Sequence, residues 1–242
     1  MIHSKDLKRR LSSVVDWLLQ LFQTVKKTVE ITTVETKNKI TEAMSKDYKF
    51  PHGETNWDMP NNRGPLKDVR FIIIHSLSEG IKTEDGNVHG IEFVNSLGLS
   101  YHRCVRQDGH VYNCLPYDLI GLHAGKSKAI CPETDQIYTD LNKHSIGLSL
   151  LVPIDGDGYG DYGDLLRLMR EPDTYTDLHY KSLAWECHKI MNEFPKVTLN
   201  HILGHDYVSG SDVRPDPKRD PGKGFDWDRL KKEIWVHKTG TI

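Results

Sequence analysis

The sequence predicts an α/β domain built on a mixed central β-sheet flanked by helices, with a helical segment added at the amino end. Three observations carry this. Val69–His75, rich in β-branched residues, and His144–Val152, rich in Leu, Ile and Val, are short apolar runs with the composition of buried strands. Between them, Ser100–Val105 and His110–Leu115 flank Asp108-Gly109, a hairpin signal. Beyond them, Asp177–Phe194 carries Leu183, Cys187, Ile190, Met191 and Phe194 at helical spacing, with Thr176 as its cap and Pro195 as its stop. Val197–Leu203 reads as a short extended return to the sheet, and Trp227–Val236 as a closing helix capped near Asp226. That order of elements suits a mixed sheet with helices packed against it.

At the amino end, basic residues 5–10 precede Leu11, Val14, Leu18, Leu21 and Val25, which alternate in steps of three and four. Val15, Leu19, Phe22 and Val29 widen this helical stripe. Residues 1–49 are therefore read as a helical segment outside the main domain. The spacing suits docking to a protein partner or self-association through residues 5–30; packing on its own domain and lying in a membrane interface are the alternatives. A secretory signal fits poorly, because Asp16 and Gln20 interrupt the apolar stretch and no small-x-small site follows. Residues 50–66, rich in Pro, Gly and Asn, read as a linker, which leaves residues 67–242 as the main domain.

Within that domain, Ser76–Val88 reads as a polar loop and His89–Leu97 as a short amphipathic helix. Asp118–Ser127 turns through Gly121 and Gly125. Pro153–Asp164 reads as a solvated loop, since its Asp and Gly residues lack the acid at the twelfth position of an EF-hand.

Composition excludes several classes. With 32 Lys and Arg against 34 Asp and Glu, the chain has no basic surplus for nucleic acid. A 37% hydrophobic fraction suits a globular fold. No run approaches the roughly 18 apolar residues of a transmembrane span. Four cysteines show no CxxC pairing; Cys104 and Cys114 could meet across the hairpin, but so few cysteines argue against a disulfide framework.

Chemistry concentrates in Leu203–Trp227. His205 is followed fifteen residues later by Asp220, with Lys218 two positions before it. Prolines 215, 217 and 221 and glycines 210, 222 and 224 forbid regular structure between them. Long ordered loops of this kind hold functional side chains. His and Asp are ordinary zinc ligands, and a catalytic zinc needs three ligands and an open vertex. His75, at the expected carboxyl end of a strand, is a candidate third ligand, although taken alone a structural histidine is the commoner outcome. His201 precedes His205 by four, but its segment looks extended rather than helical, so it reads as structural, as does His144.

Four ordered blocks, VRFIIIHS, YHRCVRQDGHVYNCLPYDLIGLHAGKS, HSIGLSLLV and LGHDYV…PKRDPGKGFDW, together resemble the zinc-dependent N-acetylmuramoyl-L-alanine amidases of the type 2 family. That family includes phage lysozyme-amidases, anhydromuramyl-peptide amidases and animal peptidoglycan recognition proteins. The likeness covers residues 67–236; the PKRDPGKGFDW tail is closest to the anhydromuramyl type, and SIGLSLLVPIDG to the phage enzymes. Residues 1–60 have no counterpart in it.

The resemblance implies a type 2 amidase fold, a Zn2+ cofactor held by His75, His205 and Asp220, and peptidoglycan as substrate. Lys218 matches the lysine that faces the substrate carbonyl, and Tyr101 the tyrosine that phage members place beside the metal-bound water. His102, next to Tyr101, would face the opposite way on a strand. His123, Ser149 and Arg219 are expected on the substrate side, although Arg219 alternates with Lys218 and Asp220 and so turns from the metal. Asp206 is expected to support a ligand. Ser149 departs from the pattern, because anhydromuramyl amidases carry a proton-handling glutamate there. The implied activity is hydrolysis of the bond between N-acetylmuramic acid and L-alanine, in a phage-encoded wall-lysis or entry enzyme acting at the bacterial wall. A non-catalytic peptidoglycan-binding module or a structural part of a phage particle is the alternative, against which the intact ligand set counts.

Overall fold

At the centre of the structure lie two parallel strands, β2 (Phe71–Ser78) and β9 (Ser145–Val152), every residue of which is buried. The computed structural model describes residues 53–154 and 159–239. The expected helical segment 1–49 therefore lies outside the described residues. β2 and β9 are the two apolar runs that the sequence marks as strands, and each buried Phe, Ile, Leu or Val contributes about 1.5–3 kcal/mol.

The central sheet has six strands in the order β1 (Glu54–Asn56), β6 (Val111–Asn113), β5 (Arg103–Val105), β9, β2 and β11 (Ile202–Gly204). Only β5 and β6 pair antiparallel, as the expected hairpin, and the other neighbours are parallel. Gly109 closes the hairpin turn at φ 81°, and its N–H donates to the Arg106 carbonyl. A positive φ of this size favours glycine at that position.

Two registers position the chemistry. His75 on β2 pairs with Ser149 on β9, and Ile74 pairs with Gly204 on β11. His205 follows Gly204 and opens the short helix α4 (His205–Val208), so it emerges level with His75.

Phe71 and Ile73 pack on one sheet face with Ala124, Ala129, Cys131, Tyr138, Leu141 and Val208. A helix, α3 (Asp177–Glu193), packs along its buried residues against the strands, where His179 Nε2 donates to the Leu151 carbonyl at 3.1 Å. Its N-terminus carries a capping box: Thr176 Oγ1 accepts from His179 N–H, and His179 Nδ1 accepts from Thr176 N–H. The closing helix α5 (Trp227–Thr239) packs on α3; Arg229 lies over the Tyr180 ring, and Asp226 Oδ1 accepts from Arg229 N–H.

Several expectations need correction. Within the expected linker, the described residues 53–66 are not free, since β1 extends the sheet through β6 and Met59 is fully buried. His75 is not at a strand end, because β2 runs three residues further. The loop expected at 76–88 is a hairpin, β3 (Gly80–Thr83) with β4 (Gly86–His89), joined by β10 (Tyr159–Gly160) in a second sheet. It leads into helix α1 (Gly90–Ser96), capped by His89. Asp161, inside the expected solvated loop, caps a further helix, α2 (Tyr162–Leu168). Residues 199–201 form a 3-10 turn rather than extended chain. Strands β7 (Lys128–Ile130) and β8 (Ile137–Thr139) make a small hairpin without strong alternation in its sequence. All four cysteines are free; Cys104 is in register with Tyr112, and its thiol meets that of Cys114 without a disulfide. Among the described residues no helix is long and apolar enough to cross a membrane.

Candidate metal centre and its cleft

His75, His205 and Asp220 converge. The two Nδ1 atoms are 3.1 Å apart. His75 Nδ1 lies 3.1 Å from Asp220 Oδ2, and His205 Nδ1 lies 3.1 Å from both carboxylate oxygens. An ion bonded at 2.0–2.1 Å with tetrahedral angles needs donors about 3.3 Å apart. The observed spacing fits that requirement. His75 is fully buried, and Asp220 keeps 14% of its side chain exposed.

The electrostatics favour a cation. Burial, followed by the neighbouring His205, pushes the His75 pKa down to about 4, so the ring is neutral at ordinary pH. Burial opposes ionisation of Asp220, but His205 and His75 outweigh it and hold the carboxyl well below its usual range. Neutral imidazole and carboxylate are the ligand forms that zinc takes.

Backbone and side-chain ties deliver Asp220. Its carbonyl accepts from Asp206 N–H at 2.8 Å, and Lys218 N–H donates to the Ser209 carbonyl at 3.0 Å. Tyr175 donates to the Pro221 carbonyl at 2.6 Å and receives Ser76 Oγ at 2.7 Å, which ties the loop to β2. Tyr175 had no motif to announce it.

His123 stands behind His75. Its Nδ1 is 3.0 Å from His75 Nε2, while Asn142 Oδ1 accepts the backbone N–H groups of His123 and Ala124. The ring lies over Gly147, where a Cβ would come within 2.5 Å of it. Gly147 thus leaves the space that lets His123 reach His75. When His75 Nδ1 binds a metal, its Nε2–H has His123 Nδ1 as acceptor, which fixes tautomer and ring orientation.

The centre opens into a cleft of about 490 Å3, lined by residues that include Tyr101, His123, Asp161, Arg214, Lys218 and Asp220. The Tyr101 ring centroid is 5.0 Å from that of His75. Burial, then Asp220, pushes its phenol up, so Tyr101 stays protonated and keeps an O–H to offer as a donor. Two expected positions differ, those of Ser149 and Arg219, while His102 faces away from the metal as expected. Ser149 is fully buried beneath the centre and does not face substrate. Arg219 is exposed on a separate depression with Met169 and Lys223. His102 lies outside the metal centre, its Nδ1 accepting from Gly147 N–H and its Nε2 donating to the Leu119 carbonyl. Asp206 supports the site through its backbone, while its own carboxylate accepts from Tyr207 N–H.

The family profile described as N-acetylmuramoyl-L-alanine amidase matches residues 65–223, which include all three donors. The chain belongs to this family. Among curated amidases, it is 30% identical over 135 residues to the 1,6-anhydro-N-acetylmuramyl-L-alanine amidase AmpD of Escherichia coli K12, covering 56% of this chain and 58% of that protein. It is 29% identical over 150 residues to the protein of the same name from Citrobacter freundii, covering 62% and 65%. The aligned region thus spans about three fifths of the length of these relatives. The crystal structure of a selenomethionine AmpD derivative superposes with a TM-score of 0.53 at 21% identity, covering 75% of this chain and 94% of that one. At that identity the likeness speaks for the amidase fold.

Proposed function

We propose that this protein is a zinc-dependent peptidoglycan hydrolase that cleaves the amide between the lactyl group of N-acetylmuramic acid and L-alanine. The observation that carries the reading is the buried His75–His205–Asp220 triad, with donors 3.1 Å apart, at the base of a cleft that also presents Lys218 and Tyr101. When bound, zinc supplies Lewis acidity and lowers the pKa of water at its open vertex.

The chain's own residues do the rest. Lys218 brings a cation to the side of the cleft where a substrate carbonyl would accumulate negative charge. Tyr101 donates a hydrogen bond and orients an oxygen beside the triad. His123 holds His75. With Ser149 buried, the glutamate-based proton transfer of anhydromuramyl amidases has no counterpart at that position. Asp161 is the one carboxylate besides Asp220 among the described residues that line the cleft.

The SIGLSLLVPIDG block supports a phage-encoded enzyme that acts on the wall during lysis or entry. Partner docking or self-association is assigned to residues 5–30.

The test is hydrolysis of intact sacculi and of soluble anhydromuropeptides, followed by mass analysis with and without chelator. Release of L-alanine amino groups without new reducing ends is expected, and chelator should abolish it. Bound zinc without amine release from either substrate would remove the hydrolase reading and leave a wall-binding module.

A further inference from the structure

Outside the cleft, three metal-binding side chains converge at one other place among the described residues. Cys131 and Glu133, in the turn after β7, face His201 from the 3-10 turn that feeds β11. Cys131 Sγ is 3.3 Å from Glu133 Oε2 and 3.7 Å from His201 Nε2, and His201 Nε2 is 2.8 Å from Glu133 Oε2. Cys131 and His201 are 5% and 3% exposed, while the Glu133 side chain is 47% exposed. The reaction described above uses none of them.

We propose that Cys131, Glu133 and His201 form a second divalent-metal site, a thiolate–carboxylate–imidazole set for a zinc-like ion that clamps the β7–β8 turn to the segment delivering His205. Zinc bonds of 2.3 Å to sulfur and 2.0–2.2 Å to nitrogen and oxygen, at tetrahedral angles, put sulfur about 3.6 Å from nitrogen and nitrogen about 3.3 Å from oxygen. The three side chains are within roughly half an ångström of those separations. A thiolate ligand selects zinc-like ions over magnesium or calcium. Solvent reaches the site past Glu133, which leaves the fourth vertex to water.

Proton positions distinguish this histidine from its neighbours. His179 Nε2 meets a backbone carbonyl, which ends its role, whereas His201 Nε2 meets a thiol and a carboxylate. Without metal, His201 Nδ1 accepts from Thr198 N–H at 3.0 Å, and Nε2–H donates to Glu133. On binding, the Cys131 thiol proton leaves to solvent and the imidazole proton moves from Nε2 to Nδ1. The new Nδ1–H then donates to Thr198 Oγ1, 3.1 Å away, and the Thr198 N–H gives up its bond to Nδ1, so metal binding breaks this half of the capping box. The ring keeps one proton throughout.

Cobalt(II) loading of the full chain tests this, because the catalytic triad contains no sulfur. Two cobalt ions per chain and a thiolate-to-cobalt charge-transfer band in the near ultraviolet are expected. Cys131→Ser should bind one ion, lose the near-ultraviolet band and keep the visible bands of the triad site, which also reports correct folding. His201→Gln should weaken the same band at least about tenfold in cobalt titration. One ion per chain in the unmodified protein, two ions without a thiolate band, or a band that survives Cys131→Ser would each overturn the proposal.

Discussion

His102 and His179 are buried as deeply as His75, yet the two regions use the ring in opposite ways. In His102 and His179, Nδ1 accepts a backbone N–H and Nε2 donates to a backbone carbonyl, so no lone pair remains. At the metal centre, His75 and His205 aim Nδ1 at each other and at Asp220. Once His75 Nε2–H donates to His123, its Nδ1 brings a lone pair to that gathering. Burial alone therefore does not identify a ligand; where the lone pairs point does.

The largest expected effect breaks the ligand side of this comparison. Asp220→Asn removes the carboxylate from three donors and should lower the zinc retained through gel filtration by one ion per chain, leaving only that held by Cys131, Glu133 and His201, with activity falling to background; a variant that retains as much zinc as the unmodified protein would show the triad incomplete as described. Lys218→Ala should leave the metal in place but cost about two to three decades in kcat, as loss of one oxyanion donor does. His123→Ala sharpens the comparison, because it leaves every ligand intact and removes the acceptor behind His75. Zinc affinity, measured by chelator competition, should fall about 10–100-fold; unchanged affinity would mean that Gly147 and Asn142 position the ring for another purpose.

The structural histidines predict a pH effect. Burial first, in both cases, lowers His102 and His179 from 6.5 to about 4. Between those values the unfolded chain binds a proton that the folded chain refuses, so stability falls as pH drops from 6.5 towards 4. Each ring should contribute about 1.4 kcal/mol per pH unit in that window. Urea unfolding midpoints that stay level across it would contradict the neutral tautomers described. The smallest effect is at Ser149, whose hydroxyl is buried with no partner among the described residues. Ser149→Ala should be neutral or stabilise by up to about 1 kcal/mol in the same assay.

Much of the core was legible because its signals are local. β2 and β9 announce themselves as unbroken apolar runs, and the Asp108-Gly109 turn and the Thr176–Pro195 helix carry their own punctuation. β1, β7 and β8 are each three residues long, too short for a period to show, and exist because a neighbouring strand completes their hydrogen bonds. Helix α2 was hidden by the Gly- and Asp-rich run before it, although Asp161 and Asp164 form a capping box.

By itself, the order of residues determined the mixed α/β class through local pattern, and, through four ordered blocks that resemble a known family, it determined the family and the identities of His75, His205 and Asp220. Only the tertiary structure decided that His123 backs His75, that Ser149 lies under the centre and Arg219 outside the cleft, and that Cys131 and Glu133 face His201. Those relations depend on strand register and on which ring nitrogen faces which neighbour, and both are set by packing between segments far apart in sequence, as His75 and Ser149 or Cys131 and His201 are.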